Sequence, residues 1–551
     1  MSEAAEKGHQ KRGWATRIVV FLAALIILGY GFERPSIGNA VPDPISKYRA
    51  QDEALYSHIA ITMAQSGDWL TPHYLGRLLL YKPPLLTWLA GISVKTLGTS
   101  LSALRLPALL AGVLGVFFVF VWPKNLAAGV MAALLLVSNS YWHTLSRLCQ
   151  TDILHAAFLV GAMLCLASDP KLSRRSCFWG FALLSALSIM VKSVSGLLAP
   201  LGLLFYCVMA RQGERPSNGR LAALFVAIAA LAAPWHIYQL AVHSRWFWAD
   251  YVQYQLLGYG LRPPGQVSGD GPIMFYLRRL WFGDPVLCLL AALAIPWFVK
   301  ETWRRTSSHT VTVAAWMAAV LTGLLLFQYH SVHYLISLVP PLCLIAVGYG
   351  PLTRGRVPAV ACVALCAVFI GKVAYADTWQ LAYGRETPNP TVGVLKDYYA
   401  KNRGNGLVLV QPDDNLYAPS LPNLDVRYCF IDPWGTYGFP WHFRYLGVAL
   451  TSTQYIESGA SQAPYAQRLS DWGVTTHQPI GSVIIALRDQ DVSKLIRFRP
   501  DYDYLLPTRL RGIATEAARP AHDLVPAKAG KLLLLSRERI PGSHLKLPRY
   551  W

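Results

Sequence analysis

Long apolar runs separated by short polar connections dominate the first 375 residues of the chain. A helix needs about 20 apolar residues to cross a bilayer. We draw eleven apolar segments, some of them shorter than this, at 14–32, 101–121, 125–141, 152–168, 177–191, 194–210, 221–240, 282–299, 311–328, 333–350 and 357–375. The pattern predicts an all-α polytopic membrane protein. Its first segment lacks a small-residue cleavage site and is expected to be an uncleaved anchor.

Basic residues occur in every second connection between these segments. They are Lys7, Lys11, Arg12, Arg17, Lys124, Lys171, Arg174, Arg175, Arg211, Arg215, Arg220, Lys300, Arg304, Arg305, Arg354 and Arg356. Connections rich in Lys and Arg remain in the cytoplasm. This predicts a cytoplasmic amino terminus and, with eleven crossings, a carboxyl terminus outside.

Composition agrees with a membrane protein. Of the 551 residues, 54% are hydrophobic and 15% are charged, which is too apolar for an ordinary soluble protein. The net charge of +20 could indicate nucleic-acid binding. The basic residues lie in short clusters between apolar segments, however, and no nucleic-acid-binding motif is visible.

The segments expected outside the membrane differ from one another. Residues 33–100 contain two amphipathic pieces, DEALYSHIAITMAQ and PPLLTWLAGISVKTL, which favour helices lying along the membrane interface. After about residue 376 short strand-like runs appear, namely GLVLVQ, VRYCFID, GSVIIALRD and KLLLLSRE. We therefore expect a membrane domain at 1–375 and an extracytoplasmic soluble α/β domain at 376–551.

The outer connections hold acids, bases and aromatic residues. These are Asp52, Glu53, Lys82, Arg147, Asp152, Lys192, Arg262, His333 and Tyr334. Ionisable groups at the membrane boundary are costly, so a functional site is the first hypothesis for them.

Each acidic candidate has a structural alternative. Asp52 and Glu53 begin a helical pattern, where carboxylates favour the helix dipole, or one of them acts as a general base. Asp152 caps the following helix together with Thr151, or it orients a catalytic partner.

Each basic candidate likewise has both a structural and a functional interpretation. Lys82, followed by Pro83 and Pro84, either extends toward the interface or neutralises a lipid phosphate. Lys192 lies in the turn VKSVSG with the same two alternatives. His330 and His333 have a spacing that suits metal ligands, but no third ligand is evident, so a divalent metal is possible without being supported. Hydrogen bonding to a phosphate or sugar is favoured instead.

Four motifs occur in order within about 60 residues. They are Asp52-Glu53, the SGDWL-P stretch from Ser66, the KPPL--W stretch from Lys82, and Arg105-Leu106-Pro107. Together with SRLCQTDILHAAF, VKSVSG and VHYLISLVPPL, they resemble the GT-C-fold membrane glycosyltransferases related to protein O-mannosyltransferases and the bacterial aminoarabinose transferase of lipid A. The resemblance covers about residues 15–350.

The resemblance implies transfer of one sugar, with inversion, from a polyprenyl-phosphate carrier such as undecaprenyl phosphate. The acceptor would be lipid A, another glycolipid, a glycan or a protein at the outer face of the bacterial inner membrane. Asp52 would be the base or acceptor-orienting carboxylate, with Glu53 and Asp152 beside it. Lys82 would bind the donor phosphate, with Lys192, Arg262 and Tyr334 as further candidates. Possible substrate contacts are Tyr56, Tyr81, Arg147 and His333.

Three positions depart from the aminoarabinose transferases. Leu55 stands where an arginine is common, Tyr81 where a glutamate usually precedes the KPP lysine, and Ser193 where the turn usually has glycine. The sugar therefore stays open. The rival function is a lipid or sugar transporter or flippase, although transporters tend to show internal repeats. A third possibility, a member that only binds a polyprenyl lipid, is opposed by the intact Asp52, Lys82 and Asp152.

Overall fold

A computed structural model describes residues 2–30, 49–74, 77–123, 125–258, 271–327, 330–349 and 364, and several elements after residue 400. Fourteen helices precede residue 350 in the described part. They are α1 Ser2–Gly29, α2 Arg49–Ser66, α3 Leu85–Leu97, α4 Leu101–Val121, α5 Leu126–Ser138, α6 Ser140–Leu145, α7 Thr151–Ser168, α8 Arg175–Lys192, α9 Leu198–Met209, α10 Asn218–Phe247, α11 Pro272–Gly283, α12 Pro285–Arg304, α13 Ser308–Leu326 and α14 Val339–Gly348.

Irregular elements join these helices. Two short strands, β1 His73–Tyr74 and β2 Arg77–Leu78, pair antiparallel before α3. Short 3₁₀ turns occupy Ser193–Leu197, Gln212–Glu214 and Val332–Ser337, and a π-helical segment follows α10 at Trp248–Gly258.

Six helical stretches in the described residues are long and apolar enough to cross a membrane. They are Ser102–Val121, Thr151–Ser168, Arg175–Met209, Asn218–Ser244, Pro285–Arg304 and Ser308–Leu326. Shorter apolar helices occupy Thr16–Gly29, Leu85–Leu97, Leu126–Ser138 and Val332–Gly348. The predicted helical, polytopic membrane protein is therefore confirmed. The number of eleven crossings and the orientation of the termini stay predictions, and the segment 357–375 lies outside the described residues apart from residue 364.

Polar side chains begin several of these helices by accepting hydrogen bonds from otherwise unpaired backbone N–H groups. Ser100 caps α4, Asn125 caps α5 and Asn139 caps α6 in this way. Asp284 caps α12 and Ser307 caps α13. These polar residues therefore fix where the helices start.

A sharp turn separates α8 from α9. Ser193 has a φ of 46°, and a Cβ on Gly196 would lie 2.4 Å from the backbone N of Ile189. A contact between residues seven apart requires the chain to fold back, and only glycine fits this approach. The turn lies at the end of α8, which packs against the start of α7, where the site residues lie.

The described elements after residue 400 include six strands, β3 Leu407–Val410, β4 Tyr428–Ile431, β5 Ser482–Ile485, β6 Asp503–Pro507, β7 Asp523–Pro526 and β8 Leu532–Ser536, and the helix α15 Arg511–Ala518. The strands form one sheet in the order β4-β5-β3-β6-β8-β7. Its first four strands are parallel, and β8 is antiparallel to β6 and β7. Each of the four predicted strand runs contains one of these strands. The predicted domain bounds stay a prediction.

Candidate active site

A buried ion pair joins the first turn of α7 to the last residue of α8. Lys192 Nζ donates a hydrogen bond to the Asp152 carboxylate, and these residues are 6% and 5% exposed. Gln150, rather than Thr151, precedes the first helical residue of α7 and makes no side-chain capping bond. The alternative in which Asp152 caps its own helix is therefore wrong, because this carboxylate is directed to Lys192.

Tyr334 lies on the other side of the same lysine. Lys192 Nζ is 4.7 Å from the centre of the Tyr334 ring, a distance typical of a cation–π contact. The turn Val332–Ser337, which carries Tyr334, packs against α7. Three predicted site residues that are distant in sequence thus meet at one place, and the lysine is held in one position by a carboxylate and a ring.

Lys82 and His333 extend this cluster. Both lie within electrostatic range of the Asp152 carboxylate. Lys82 is half-buried, with its Nζ 5.9 Å from the centre of the Tyr81 ring. His333 is 7% exposed, and its Nε2 is buried without a hydrogen-bond partner among the described residues. The structure therefore gathers five predicted residues into one cluster: Lys82, Asp152, Lys192, His333 and Tyr334.

A cleft opens beside this cluster. Its polar lining residues are His155, Lys192, Ser195, Gln255, Tyr334 and Ser337. Its apolar lining residues are Val194, Leu198, Val320, Leu324 and Phe327, with Gly323 between them. A cleft with one polar and one apolar wall suits a molecule that has a charged head and a hydrocarbon chain.

Several hydrogen bonds position the segment that carries Lys82. Leu80 N donates to Asp250 Oδ2 at 2.6 Å, which ties the chain before Lys82 to the π-helical segment. Pro84 precedes the first residue of α3, and its carbonyl accepts from Thr87 Oγ1 at 2.9 Å. The two prolines therefore begin α3, with Lys82 immediately before them.

The SGDWL motif supports the KPP motif directly. Trp88 Nε1 donates to the Trp69 carbonyl at 2.5 Å. Asp68 Oδ1 accepts from the backbone N–H groups of Leu70 and Thr71 at 3.1 and 3.0 Å, which closes a tight turn. The Leu70 carbonyl in turn accepts from Trp235 Nε1 on α10 at 2.9 Å. These two motifs thus form one hydrogen-bonded unit around the base of α3.

Of the acidic pair in the first motif, Glu53 has a described side chain. Glu53 is fully buried and accepts hydrogen bonds from Arg105 Nε at 2.6 Å and Arg105 Nη2 at 2.9 Å. Glu53 Oε1 also accepts from Cys149 N at 3.0 Å. These contacts connect α2 to α4 and to the segment before α7, which is the geometry of a structural ion pair. Asp52 belongs to α2, but its side chain lies outside the described side chains.

The other predicted contacts are more scattered. Arg147 is 5% exposed, with its Nη1 3.2 Å from His143 Nε2. Burial and the adjacent Arg147 hold the pKa of His143 well below its usual range, so this imidazole is neutral at physiological pH. Tyr56 is buried on α2. Arg262 lies outside the described residues.

His330 does not join the cluster around Lys192 through any described contact. Its ring lies 5.9 Å from the Phe275 ring and 5.6 Å from the Tyr276 ring. In the described part of the chain, no three His, Cys, Asp or Glu side chains are grouped as a metal site would require.

Sequence reasoning missed His155. It follows Asp152 by one helical turn in TDILHAAF, is 2% exposed, and lines the cleft beside Lys192. Its Nδ1 lies 2.7 Å from Ser188 Oγ on α8. The i, i+3 spacing from Asp152 was the signal that could have identified it.

The chain is similar in sequence to several known proteins. Residues 81–238 match the family described as dolichyl-phosphate-mannose-protein mannosyltransferase. The chain is 25% identical over 330 residues to the undecaprenyl phosphate-alpha-4-amino-4-deoxy-L-arabinose arabinosyl transferase of Pectobacterium carotovorum, covering 55% of this chain and 56% of that protein. It is 26% identical over 366 residues to the protein of the same name from Pectobacterium atrosepticum, covering 62% and 60%. The chain thus spans less than two thirds of the curated relatives that it matches.

The similarity in fold extends further along the chain. The crystal structure of ArnT from Cupriavidus metallidurans bound to undecaprenyl phosphate aligns with a TM-score of 0.68 and 16% identity, over 95% of this chain and 98% of that one. The apo structure of the same protein aligns with a TM-score of 0.64. The resemblance predicted from the amino-terminal motifs is confirmed, because this chain is related in sequence and fold to the GT-C membrane glycosyltransferases that include the protein O-mannosyltransferases and the bacterial aminoarabinose transferases.

Proposed function

We propose that this protein is a membrane glycosyltransferase that moves a sugar from undecaprenyl phosphate to lipid A. The observation that carries the proposal is the position of two lysines. Lys192, held by Asp152 and Tyr334, lines an amphipathic cleft, and Lys82 lies nearby. The matched relatives are named for transfer of a sugar from undecaprenyl phosphate. A lipid phosphate with a long hydrocarbon chain fits both walls of this cleft.

The proposed reaction has three parts. An acceptor oxygen, oriented or deprotonated by Asp52, attacks the anomeric carbon of the sugar. The bond between that carbon and the phosphate oxygen breaks with inversion, and the carrier leaves as a lipid phosphate. Lys82 and Lys192 stabilise the negative charge that develops on the leaving oxygen. Since the donor already carries an activated sugar, the reaction needs no nucleotide.

The location of the reaction follows from the charge pattern of the connections. The proposed site lies at the outer face of the bacterial inner membrane, with the amino terminus in the cytoplasm. Residues 376–551 would then form a soluble α/β domain outside the cytoplasm, and the mixed sheet of β3 to β8 supports this. We propose that this domain contacts the acceptor, since it would lie on the same side as the site.

A transporter or flippase is the less favoured alternative. In a transporter, charged residues are expected along a path through the membrane. Here the described ionisable cluster gathers where α7 begins and α8 ends. Two proteins that the chain matches in sequence are named as transferases.

The test is mass spectrometry of lipid A from isogenic bacteria with and without this protein. The proposal predicts that one lipid A species, heavier by the mass of a single sugar, disappears when the protein is absent and returns on complementation. If lipid A is identical in both strains while another envelope glycan or protein loses one sugar, the proposed acceptor is wrong, but the proposed transferase activity is retained. If no envelope molecule loses a sugar, the transferase proposal fails.

A further inference from the structure

His155 is a buried polar side chain whose second nitrogen has no assigned role. Its ring is 2% exposed, and Nδ1 is bound to Ser188 Oγ at 2.7 Å. Its Nε2 is buried and has no hydrogen-bond partner among the described residues. A buried imidazole nitrogen without a partner loses hydration with no compensation. This loss is recovered if a ligand in the cleft binds the nitrogen.

The cleft indicates the chemistry of that ligand. His155 and Lys192 both line it, together with Ser195, Gln255 and Tyr334. The remaining wall, contributed by α9 and α13, is aliphatic and aromatic, with Leu198, Val320, Leu324 and Phe327. The donors and the ammonium group favour an anionic head group, and the apolar wall favours a hydrocarbon chain leaving it.

We propose that His155 is a further ligand for the phosphate of a polyprenyl monophosphate, acting beside Lys192. This inference rests on the proposed function and adds a residue to its phosphate site. Lys192, at the end of α8, is hydrogen-bonded to Asp152 on α7, and His155 follows Asp152 by three residues. Both groups therefore lie near the start of α7, beside the cleft. A phosphate has several acceptor oxygens, and a lysine and an imidazole N–H can each bind one of them.

Ser188 Oγ is the hydrogen-bond partner of His155 Nδ1. A serine hydroxyl can donate or accept, and a neutral imidazole has one donor and one acceptor nitrogen. When the Ser188 hydroxyl donates to Nδ1, the proton lies on Nε2, which then donates to a phosphate oxygen. In that tautomer Ser188 acts as a positioning residue, because its hydroxyl binds Nδ1 and leaves the Nε2 proton for an anion.

The experiment measures binding of undecaprenyl monophosphate to the full-length protein in lipid nanodiscs, with undecaprenol as the uncharged comparison. His155→Ala should weaken binding of the phosphate lipid by roughly tenfold or more, because a hydrogen bond to a charged group is lost. Binding of undecaprenol should be unchanged. His155→Gln, whose amide N–H₂ can still donate, should retain most of the affinity.

The control is a second buried serine on the same helix. Ser185 lies one turn before Ser188, and its hydroxyl has no hydrogen-bond partner among the described residues. Ser188→Ala should weaken binding of the phosphate lipid several-fold, whereas Ser185→Ala should not. Thermal unfolding of each variant checks that it is folded, and the His155→Gln variant tests the proposal if His155→Ala does not fold.

Three results would overturn the inference. A folded His155→Ala protein that binds the phosphate lipid as tightly as the wild type excludes the contact. Equal weakening of undecaprenyl monophosphate and undecaprenol shows that His155 only shapes the cleft. Unchanged binding of the phosphate lipid with weaker binding of the sugar-bearing donor assigns His155 to the sugar. By contrast, a wild-type protein that binds no undecaprenyl monophosphate counts against the proposed function itself.

Discussion

Both oxygens of the Glu53 carboxylate accept hydrogen bonds from the Arg105 guanidinium, at 2.6 and 2.9 Å, where neither side chain is more than 2% exposed. This pair joins the first and the last of the four motifs that mark the amino-terminal part of the chain. The residue before Glu53 is Asp52, the proposed base. The ion pair therefore fixes the backbone of α2 next to the proposed base.

We expect Glu53→Gln to destabilise the protein strongly. Removing one partner of a buried ion pair leaves the other charge unpaired, which costs about 3–5 kcal/mol. The measurement is thermal unfolding in detergent for Glu53→Gln, Arg105→Met and the double variant. The double variant should recover much of the stability lost in either single variant. A Glu53→Gln protein as stable as the wild type but inactive would instead make Glu53 a catalytic group.

Asp52→Asn should abolish sugar transfer and leave folding unchanged. The substitution preserves the size of the side chain and removes its ability to accept a proton, and loss of a general base typically lowers a rate by about 10²–10⁴-fold. The readout is the modified lipid A species in complemented cells, with membrane levels of the protein measured in parallel. Full transfer by Asp52→Asn would refute the assignment of the base.

Part of this site could be predicted from the sequence. Lys82, Asp152, Lys192, His333 and Tyr334 were identified because charge alternation separates orientation charges from the residues on the outer face, and the structure gathers them. The apolar segments likewise predicted the helical membrane fold, because burial in lipid requires long apolar runs.

Pairings between distant residues could not be predicted. Nothing in the local pattern around Glu53 points to Arg105, which lies 52 residues later, since an ion pair of this kind depends on how α2 and α4 pack. The same applies to His155 and Ser188, which are on different helices and 33 residues apart. The sequence likewise left capping open as an alternative for Asp152, because its partner, Lys192, comes from α8.

Lys82→Met should weaken binding of the donor with little effect on folding. The lysine is half-buried near Asp152, so its proposed part is to bind the phosphate. We expect a higher KM for the donor and a lower kcat/KM in a purified assay. Lys95→Met is the matched control. Lys95 lies near the end of α3, the helix that follows Lys82. It is exposed, and its Nζ is 5.8 Å from the centre of the Trp69 ring. Equal losses in both variants would show that general charge, not the site, is responsible.

Asp152→Asn and Lys192→Met should each destabilise the protein, because each leaves a buried charge without its counterion. The double variant should regain stability, since no charge is then left unpaired, but it should not regain transfer, because the phosphate site has lost one of its two lysines. Thermal unfolding and lipid A mass spectrometry on the same preparations separate the two effects. Transfer by the double variant would show that the pair is only structural.

Cysteine labelling tests the orientation of the chain. Single cysteines at positions 52 and 82 should react with a membrane-impermeant maleimide added outside, and a cysteine at position 215 should react only after the membrane is opened. In a protein that keeps Cys149 as its single cysteine, this thiol should stay unlabelled, because burial, reinforced by the Glu53 carboxylate, raises its pKa to about 12. The reactive form is the thiolate, and at pH 8 almost none of a thiol with this pKa is in the thiolate form. Labelling at position 215 from outside, with position 82 protected, would reverse the predicted topology and move the proposed site to the cytoplasmic face.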